Sequence, residues 1–143
     1  METFTLPKDF LLGTATAGLQ IEGGDTNNSW YRWCEQKKIK DNSHCIVSND
    51  HWNRVDEDIN LMKDLKCEIY RLSIEWSRIE PKRGEFDRNA MEHYRDEIKK
   101  LRLANITPLV TLHHFSNPIW FEDIGAFLDD ESVNLFERYT DYV

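Results

Sequence analysis

The chain has 143 residues, of which 40% are hydrophobic and 31% are charged, and its formal net charge is −8. This composition is typical of one soluble globular domain, and the acidity argues against nucleic acid or an anionic membrane surface as a partner. No apolar run is long enough to span a bilayer, and the first ten residues lack the apolar core of a signal peptide.

The first part of the chain predicts one short strand followed by a polar loop. The strand is expected over residues 10–16, where a run of small residues indicates close backbone packing. Residues 18–24 are predicted to form the loop, which carries Gln20 and Glu22. The loop therefore brings an amide and a carboxylate to the end of the first strand.

Two helices are predicted before the middle of the chain. Ser29 is the expected N-cap of a short helix over residues 30–36, after which the sequence looks irregular. Residues 49–66 have a helical period, and their apolar positions form one stripe: Trp52, Val55, Ile59, Met62 and Leu65.

The central predicted strand, residues 67–76, has two different faces. One face is apolar or aromatic, and consists of Tyr70, Leu72, Ile74 and Trp76. The other face becomes polar toward its end, and consists of Ile69, Arg71, Ser73 and Glu75. Buried charges at Arg71 and Glu75 are tolerable only if they are paired. Such a polar strand end is typical of the catalytic end of a strand in a (β/α) barrel.

The rest of the chain continues the alternation of helices and strands. The predicted elements are a helix from Asp87 or Arg88 to about Ala104, a strand over residues 106–113 and a helix over residues 131–143. Asn105 is the expected C-terminal cap of the first helix, and Asp130 the N-cap of the second. The final helix has the apolar stripe Val133, Phe136 and Tyr139.

This order predicts an α/β fold with three parallel strands joined by right-handed crossovers. Residues 1–143 show no internal domain boundary. A three-stranded parallel sheet is incomplete as a domain, because two strand edges stay unpaired and one face is left open. We therefore expect the chain to be part of a larger α/β fold.

Three motifs resemble glycoside hydrolase family 1, which comprises β-glucosidases, β-galactosidases and 6-phospho-β-glycosidases. The first is LGTATA at residues 12–17 with QIEG at residues 20–23. The second is RLSIEWSRIEP at residues 71–81, and the third is PLVTLHHF at residues 108–115 followed by Pro118. The motifs occur in the family's order and cover nearly the whole chain.

The resemblance implies a (β/α)₈ TIM barrel, of which this chain would supply the first three βα units. It also implies retaining hydrolysis of terminal β-glycosidic bonds by two carboxyl groups about 5–5.5 Å apart. The family places these glutamates in an Asn-Glu-Pro motif and a Thr/Ile-Glu-Asn-Gly motif, and neither is present in the chain. The chain alone is therefore expected to be inactive, although the complete enzyme would act on cellobiose-like or aryl β-glucosides.

The resemblance also assigns site residues. Gln20, His114 and Phe115 match sugar-binding positions, and Arg71 matches the arginine beside the missing nucleophile, whose carboxylate it would keep ionised. Three alternatives rest on the residues themselves. Gln20 would bond its own backbone, Arg71 would pair with Glu75, and alternation would turn His113 inward instead of His114. The motif favours His114.

Other polar and aromatic residues are interpreted as structural. Glu22 and Glu75 are not expected to be a catalytic pair, since Glu22 is better explained as a carboxylate that holds its loop, and Arg78 is expected to be structural. Three tryptophans are candidates for stacking on sugars, with core packing expected for two of them: Trp30, Trp33 and Trp120.

The resemblance implies no cofactor and no metal ion. Three cysteines without metal-ligand spacing, Cys34, Cys45 and Cys67, favour reduced thiols and a cytoplasmic location. The expected partners are a β-glucoside or related oligosaccharide, and either a second copy or the rest of the barrel along the exposed strand edges. The alternative function is that of a truncated, non-catalytic relative that binds sugars or assembles with a partner.

Overall fold

The computed structural model describes residues 3–143. Residues 1 and 2, which belong to the ten residues considered above as a signal peptide, lie outside the described residues. The sheet contains three parallel strands in the order β1 (Gly13–Ala15), β2 (Ile69–Ser73) and β3 (Thr107–Thr111). The register pairs Ala15 with Arg71 and Arg71 with Leu109. The predicted parallel order is confirmed, and each strand is shorter than predicted.

Seven α-helices and one 3₁₀ turn follow or connect these strands in the described part of the chain. They are α1 (Gly18–Ile21), α2 (Ser29–Glu35), α3 (His51–Asp64), α4 (Trp76–Ile79), α5 (Arg88–Leu103), α6 (Ile119–Asp123), the 3₁₀ turn Ala126–Leu128 and α7 (Ser132–Tyr142). Within residues 3–143, every helix is too short or too polar to cross a bilayer.

The apolar face of β2 packs against helices and forms two adjoining clusters. One cluster contains Tyr70 and Leu72 with residues of α3 and α5: Val55, Ile59, Met62 and Leu101, together with Ile106. The other surrounds Trp76, whose ring centroid lies 4.6 Å from that of Phe121 and 4.8 Å from that of Tyr139. The predicted apolar face of the central strand is therefore buried throughout.

The central strand ends earlier than predicted. The Ile74 N–H still donates to Thr111 O at 3.0 Å, but the Glu75 N–H donates to the Tyr94 hydroxyl at 3.1 Å. Glu75 therefore leaves the ladder and becomes the residue before helix α4, which begins at Trp76. The side chains keep the predicted faces, although the last three predicted positions, residues 74–76, are not strand.

Two predicted N-caps differ from the observed ones, and the residue predicted to follow α5 is found there. Asn28, not Ser29, caps α2, because its side chain accepts the Tyr31 N–H at 2.8 Å. Helix α7 begins after Glu131, so the prediction of Asp130 as its N-cap is wrong. Asn105 does follow the end of α5, in the left-handed conformation with φ 59°.

Two positions of the predicted apolar stripes are solvent-exposed. Leu65 is 71% exposed because it follows the last turn of α3, and Val133 of α7 is 73% exposed. Leu135 and Tyr139 form the buried face of α7 instead. The interior of each helix was predicted better than its ends.

The opposite face of the sheet is open. Its side chains alternate with the helix-facing ones, and Arg71, Ser73, Leu109 and Thr111 lie on it by register. Leu109 is 54% exposed. Because the strands are parallel, their carboxyl ends meet at one edge, and this edge carries the candidate site.

Candidate functional site

Arg71 and His114 lie together at the carboxyl edge of the sheet. Arg71 Nη1 donates to Thr16 O at 2.7 Å and lies 3.4 Å from His114 Nδ1. Partial burial, with the nearby Arg71 charge, lowers the pKa of His114 below its usual value. The imidazole is therefore neutral at pH 7 and can both donate and accept a hydrogen bond.

The neighbouring histidine faces a different environment. His113 Nε2 lies 2.9 Å from Asn117 Oδ1, and its ring packs edge-on against Phe127 at 5.3 Å between centroids. The chain therefore leaves strict strand alternation after Thr111, where β3 ends. His114, the residue favoured by the motif, is the histidine beside Arg71.

Gln20 lies in α1, the helical turn that directly follows β1 in place of the predicted loop. Its side chain is exposed, and within residues 3–143 its amide has no hydrogen-bond partner. The Gln20 backbone N–H donates to Ala17 O at 2.9 Å. The amide is thus available to a ligand, which argues against the alternative in which it bonds its own backbone.

Phe115 forms one wall of a groove beside this edge. It has a left-handed backbone with φ 52°, and its ring packs edge-on against Trp30 at 5.4 Å between centroids. The groove has a volume of about 560 Å³ and is lined by both rings, by Trp33 and by polar residues of α2 and α6. The prediction that two of the three tryptophans pack in the core is wrong, because only Trp120 packs on Trp76.

Two buried carboxyl groups lie behind the edge. Glu22 accepts the Tyr94 hydroxyl at 2.8 Å and Arg78 Nε at 2.7 Å. Burial raises the pKa of Glu22 to about 7, against the opposing Arg78 charge. Burial and the neighbouring Glu22 charge raise the pKa of Glu75 to about 8. Each side chain is therefore held in low-dielectric surroundings that disfavour its charged form.

Glu75 joins the two segments that carry the candidate sugar-binding residues. Its Oε1 accepts the Leu19 N–H at 2.9 Å, and its Oε2 accepts the Ser116 hydroxyl at 2.6 Å. Leu19 precedes Gln20, and Ser116 follows His114 by two residues. Glu75 is thus a positioning residue and not the partner of Arg71, so the salt-bridge alternative is wrong.

Close backbone packing also holds the start of α1 against the end of β2. The Gly18 N–H donates to Ser73 Oγ at 2.7 Å, and a Cβ at Gly18 would lie 2.7 Å from Glu75 Cγ. Ser73, Ser116 and Tyr94 are the positioning residues that the sequence reasoning missed. The polar end of the central strand was the available signal for Ser73, whereas nothing local pointed to the other two.

The carboxyl groups of Glu22 and Glu75 have no free oxygen to attack a sugar. All four oxygens form hydrogen bonds with the protein, and the two residues are only 4% and 2% exposed. Arg78 also stacks over the Trp52 ring at 3.9 Å. This geometry agrees with the structural roles expected for Glu22 and Arg78.

Comparison with known proteins gives one consistent family. The family model described as glycosyl hydrolase family 1 matches residues 2–143. The chain is 38% identical to beta-glucosidase 47 of Arabidopsis thaliana and 39% identical to coniferin beta-glucosidase of Pinus contorta. These alignments cover 96% and 94% of the chain but only 28% of each relative.

Solved structures agree with the sequence comparison. A beta-glucosidase from Exiguobacterium marinum superposes with a TM-score of 0.92 at 35% identity, over 97% of this chain and 33% of that one. A beta-glycosidase from Pyrococcus horikoshii gives a TM-score of 0.87 at 40% identity, over 96% and 32%. The chain therefore spans about a third of the length of these proteins, from their N-terminal part.

Proposed function

Because the chain belongs to glycosyl hydrolase family 1, we propose that it is the sugar-binding N-terminal third of an enzyme that hydrolyses terminal β-glycosidic bonds. Gln20 and His114 would bind the hydroxyl groups of the sugar before the cleaved bond. Arg71 would lie beside the nucleophile supplied by a later strand. The observation that carries the proposal is the 3.4 Å approach of Arg71 Nη1 to His114 Nδ1 at the carboxyl edge.

The chemistry of these groups suits a polyhydroxylated ligand. The Gln20 amide offers two donors and an acceptor, and a neutral His114 offers one of each. Arg71 contributes a fixed positive charge, which lowers the pKa of a nearby carboxylic acid and so keeps a nucleophile ionised. Phe115 adds an apolar wall without an indole donor.

The described residues do not supply catalysis by themselves in this proposal. The two family motifs that carry the nucleophile and the acid/base glutamate are absent from the 143 residues. Without them, neither covalent attack nor protonation of the leaving group takes place. The purified chain should therefore release no product from an aryl β-glucoside above the level of an Arg71→Ala preparation.

The open side of the sheet suggests what completes the barrel. Within residues 3–143, β1 and β3 each pair with β2 alone, so each leaves one edge of backbone groups without a strand partner. The related structures are about three times longer, so we propose that their remaining barrel strands correspond to the partners of these edges. In isolation the same edges would favour self-association. This incomplete sheet also supports the second candidate function, a non-catalytic sugar-binding or assembling relative.

A chimaera tests the proposal. The chain would replace the equivalent N-terminal third of the Exiguobacterium marinum enzyme, with which it shares 35% identity. We expect hydrolysis of an aryl β-glucoside. Gln20→Ala and His114→Ala should each lower kcat/KM about 10- to 100-fold, equivalent to roughly 1.4–2.8 kcal/mol of lost hydrogen bonding.

Glu137→Gln, an exposed change on α7, serves as the matched control. A folded chimaera whose activity is unaffected by the Gln20 and His114 substitutions would contradict the assigned roles. If the chain's own gene stops after Val143, the non-catalytic relative becomes the better reading. The proposed cytoplasmic location rests separately on the three free thiols.

A further inference from the structure

The fold brings two cysteines and a histidine together outside the candidate site. Cys34 lies near the end of α2, and His44 and Cys45 lie in the segment between α2 and α3. The two Sγ atoms are 4.0 Å apart, and a His44 ring nitrogen lies within 4.8 Å of both. The sequence spacing matched no metal motif, so only the tertiary structure shows this cluster.

We propose that Cys34, His44 and Cys45 bind a Zn²⁺ ion. Two thiolates and an imidazole form a ligand set that zinc prefers, with Zn–S distances of about 2.3 Å in tetrahedral geometry. Two sulfurs on one tetrahedral zinc ion would then lie about 3.8 Å apart. The distance between the sulfurs in this chain, 4.0 Å, is close to that value. A water molecule would complete the fourth position.

The surroundings of His44 resemble those of a ligating histidine. Its Nε2 lies 3.0 Å from Glu35 Oε1, and its Nδ1 accepts the Ile46 N–H at 3.2 Å. A carboxylate that receives the Nε2–H fixes the tautomer and makes Nδ1 the better ligand, and Nδ1 would exchange its hydrogen bond from the Ile46 N–H for the ion. The ring also packs edge-on against Tyr31 at 5.0 Å between centroids. The imidazole is therefore held in place before any ion binds.

The Cys45 thiol keeps its proton when no cation is present. All three cysteines are free, and burial, together with the adjacent Cys34, raises the pKa of Cys45 to about 11. A divalent cation between the sulfurs would reverse this preference, because thiolate coordination displaces the protons. Zinc binding should therefore release protons.

The ion would fasten an irregular segment against the rest of the chain. Ile46 O accepts the Gly24 N–H at 2.6 Å, and the Asn49 N–H donates to Ile21 O at 3.1 Å. The segment that holds His44 and Cys45 therefore packs directly beside α1, which carries Gln20. A zinc ion would join it to α2 as well. At free zinc 100 times its Kd, the unfolding equilibrium constant should fall about 100-fold.

Cobalt and zinc titrations of the reduced, chelator-treated chain test the site. We expect one Co²⁺ per chain with thiolate-to-cobalt charge-transfer absorption, and its displacement by one Zn²⁺. Cys34→Ser and Cys45→Ser should each abolish the absorption. Cys67→Ser is the matched control and should leave it unchanged. Glu35→Gln should weaken zinc binding about tenfold.

A measurement on the unaltered chain covers the case in which a serine variant does not fold. Zinc should protect Cys34 and Cys45 from alkylation, as read by mass spectrometry, and leave the reaction of Cys67 unchanged. Equal protection of all three thiols, or none, would overturn the proposal. So would cobalt absorption that survives in folded Cys34→Ser and Cys45→Ser chains, or a Cys34–Cys45 disulfide recovered from chain purified with reductant.

Discussion

Replacing Glu75 by glutamine should remove much of the pH dependence of folding stability. The pKa of this buried carboxyl group rises from 4.5 to about 8, so the folded chain holds a proton that the unfolded chain releases. Its contribution to stability is complete below pH 4.5 and is lost as the pH rises through about 8. A tenfold change in proton affinity corresponds to about 1.4 kcal/mol. Between pH 5 and 7.5 the loss is therefore of the order of 3 kcal/mol.

Glutamine fits the same contacts without the titration. Its carbonyl oxygen can accept the Leu19 N–H, and its amide can donate to the Ser116 hydroxyl, which now donates to Glu75 Oε2. Glu22 titrates in the same direction, and loss of the Glu75 charge should make it easier to ionise. The stability of the variant relative to the unaltered chain should thus increase as the pH rises.

Urea unfolding at pH 5 and at pH 7.5 measures this difference. The chain concentration must be constant, because association shifts apparent stability. Between these pH values, we expect the free energy of unfolding of Glu75→Gln to rise by about 3 kcal/mol relative to that of the unaltered chain. Glu137→Gln controls for the loss of one negative charge. Parallel stability curves for the unaltered chain and Glu75→Gln would refute the reasoning, since they would mean that Glu75 is not held protonated by burial.

Three further changes test the core and the network. Tyr94→Phe should lower the free energy of unfolding, measured by urea unfolding, by about 1–3 kcal/mol, because the Glu75 N–H and a Glu22 oxygen lose their partner. No loss would mean that water replaces the hydroxyl. Trp76→Ala should lower it by about 3–5 kcal/mol, and exposed Trp33→Ala by much less; equal losses would contradict the assigned core. Gly18→Ala should weaken binding of an aryl β-glucoside by the chimaera, since a Cβ would contact Glu75; unchanged binding would show that α1 can shift freely.

The fold could be predicted because its signals are local. Alternation marked the central strand, helical periods marked α3 and α5, and this order of elements implied parallel pairing. The exact ends were less predictable, because they depend on single contacts. Asn28 displaced Ser29 as a cap through one hydrogen bond to Tyr31. The central strand ends where the Glu75 N–H donates its hydrogen bond to the Tyr94 hydroxyl instead of to a neighbouring strand.

The candidate site was only partly predictable, because it too depends on single contacts between distant parts of the chain. Gln20, Arg71 and His114 stand in recognisable motifs, and their sugar-binding roles remain predictions. The partners of Glu75 lie 56 and 41 residues away along the chain, so no local pattern shows them. The closeness of Cys34 and Cys45 likewise depends on how the irregular segment folds back on α2.

The hydrogen bonds that connect Glu75 with Leu19, Tyr94 and Ser116 have a consequence for biosynthesis. These residues all precede residue 117, so the ribosome completes them before any later barrel strand is made. Chains fold from the N-terminus during synthesis, at about 5–20 residues per second. The Leu19 N–H of α1 has its acceptor only after Glu75 has been made, and the Ser116 hydroxyl reaches Glu75 only after the segment that follows β3 has been made. The edge that holds Gln20, Arg71 and His114 would therefore assemble as one step of a nascent chain, ahead of the residues that complete the barrel.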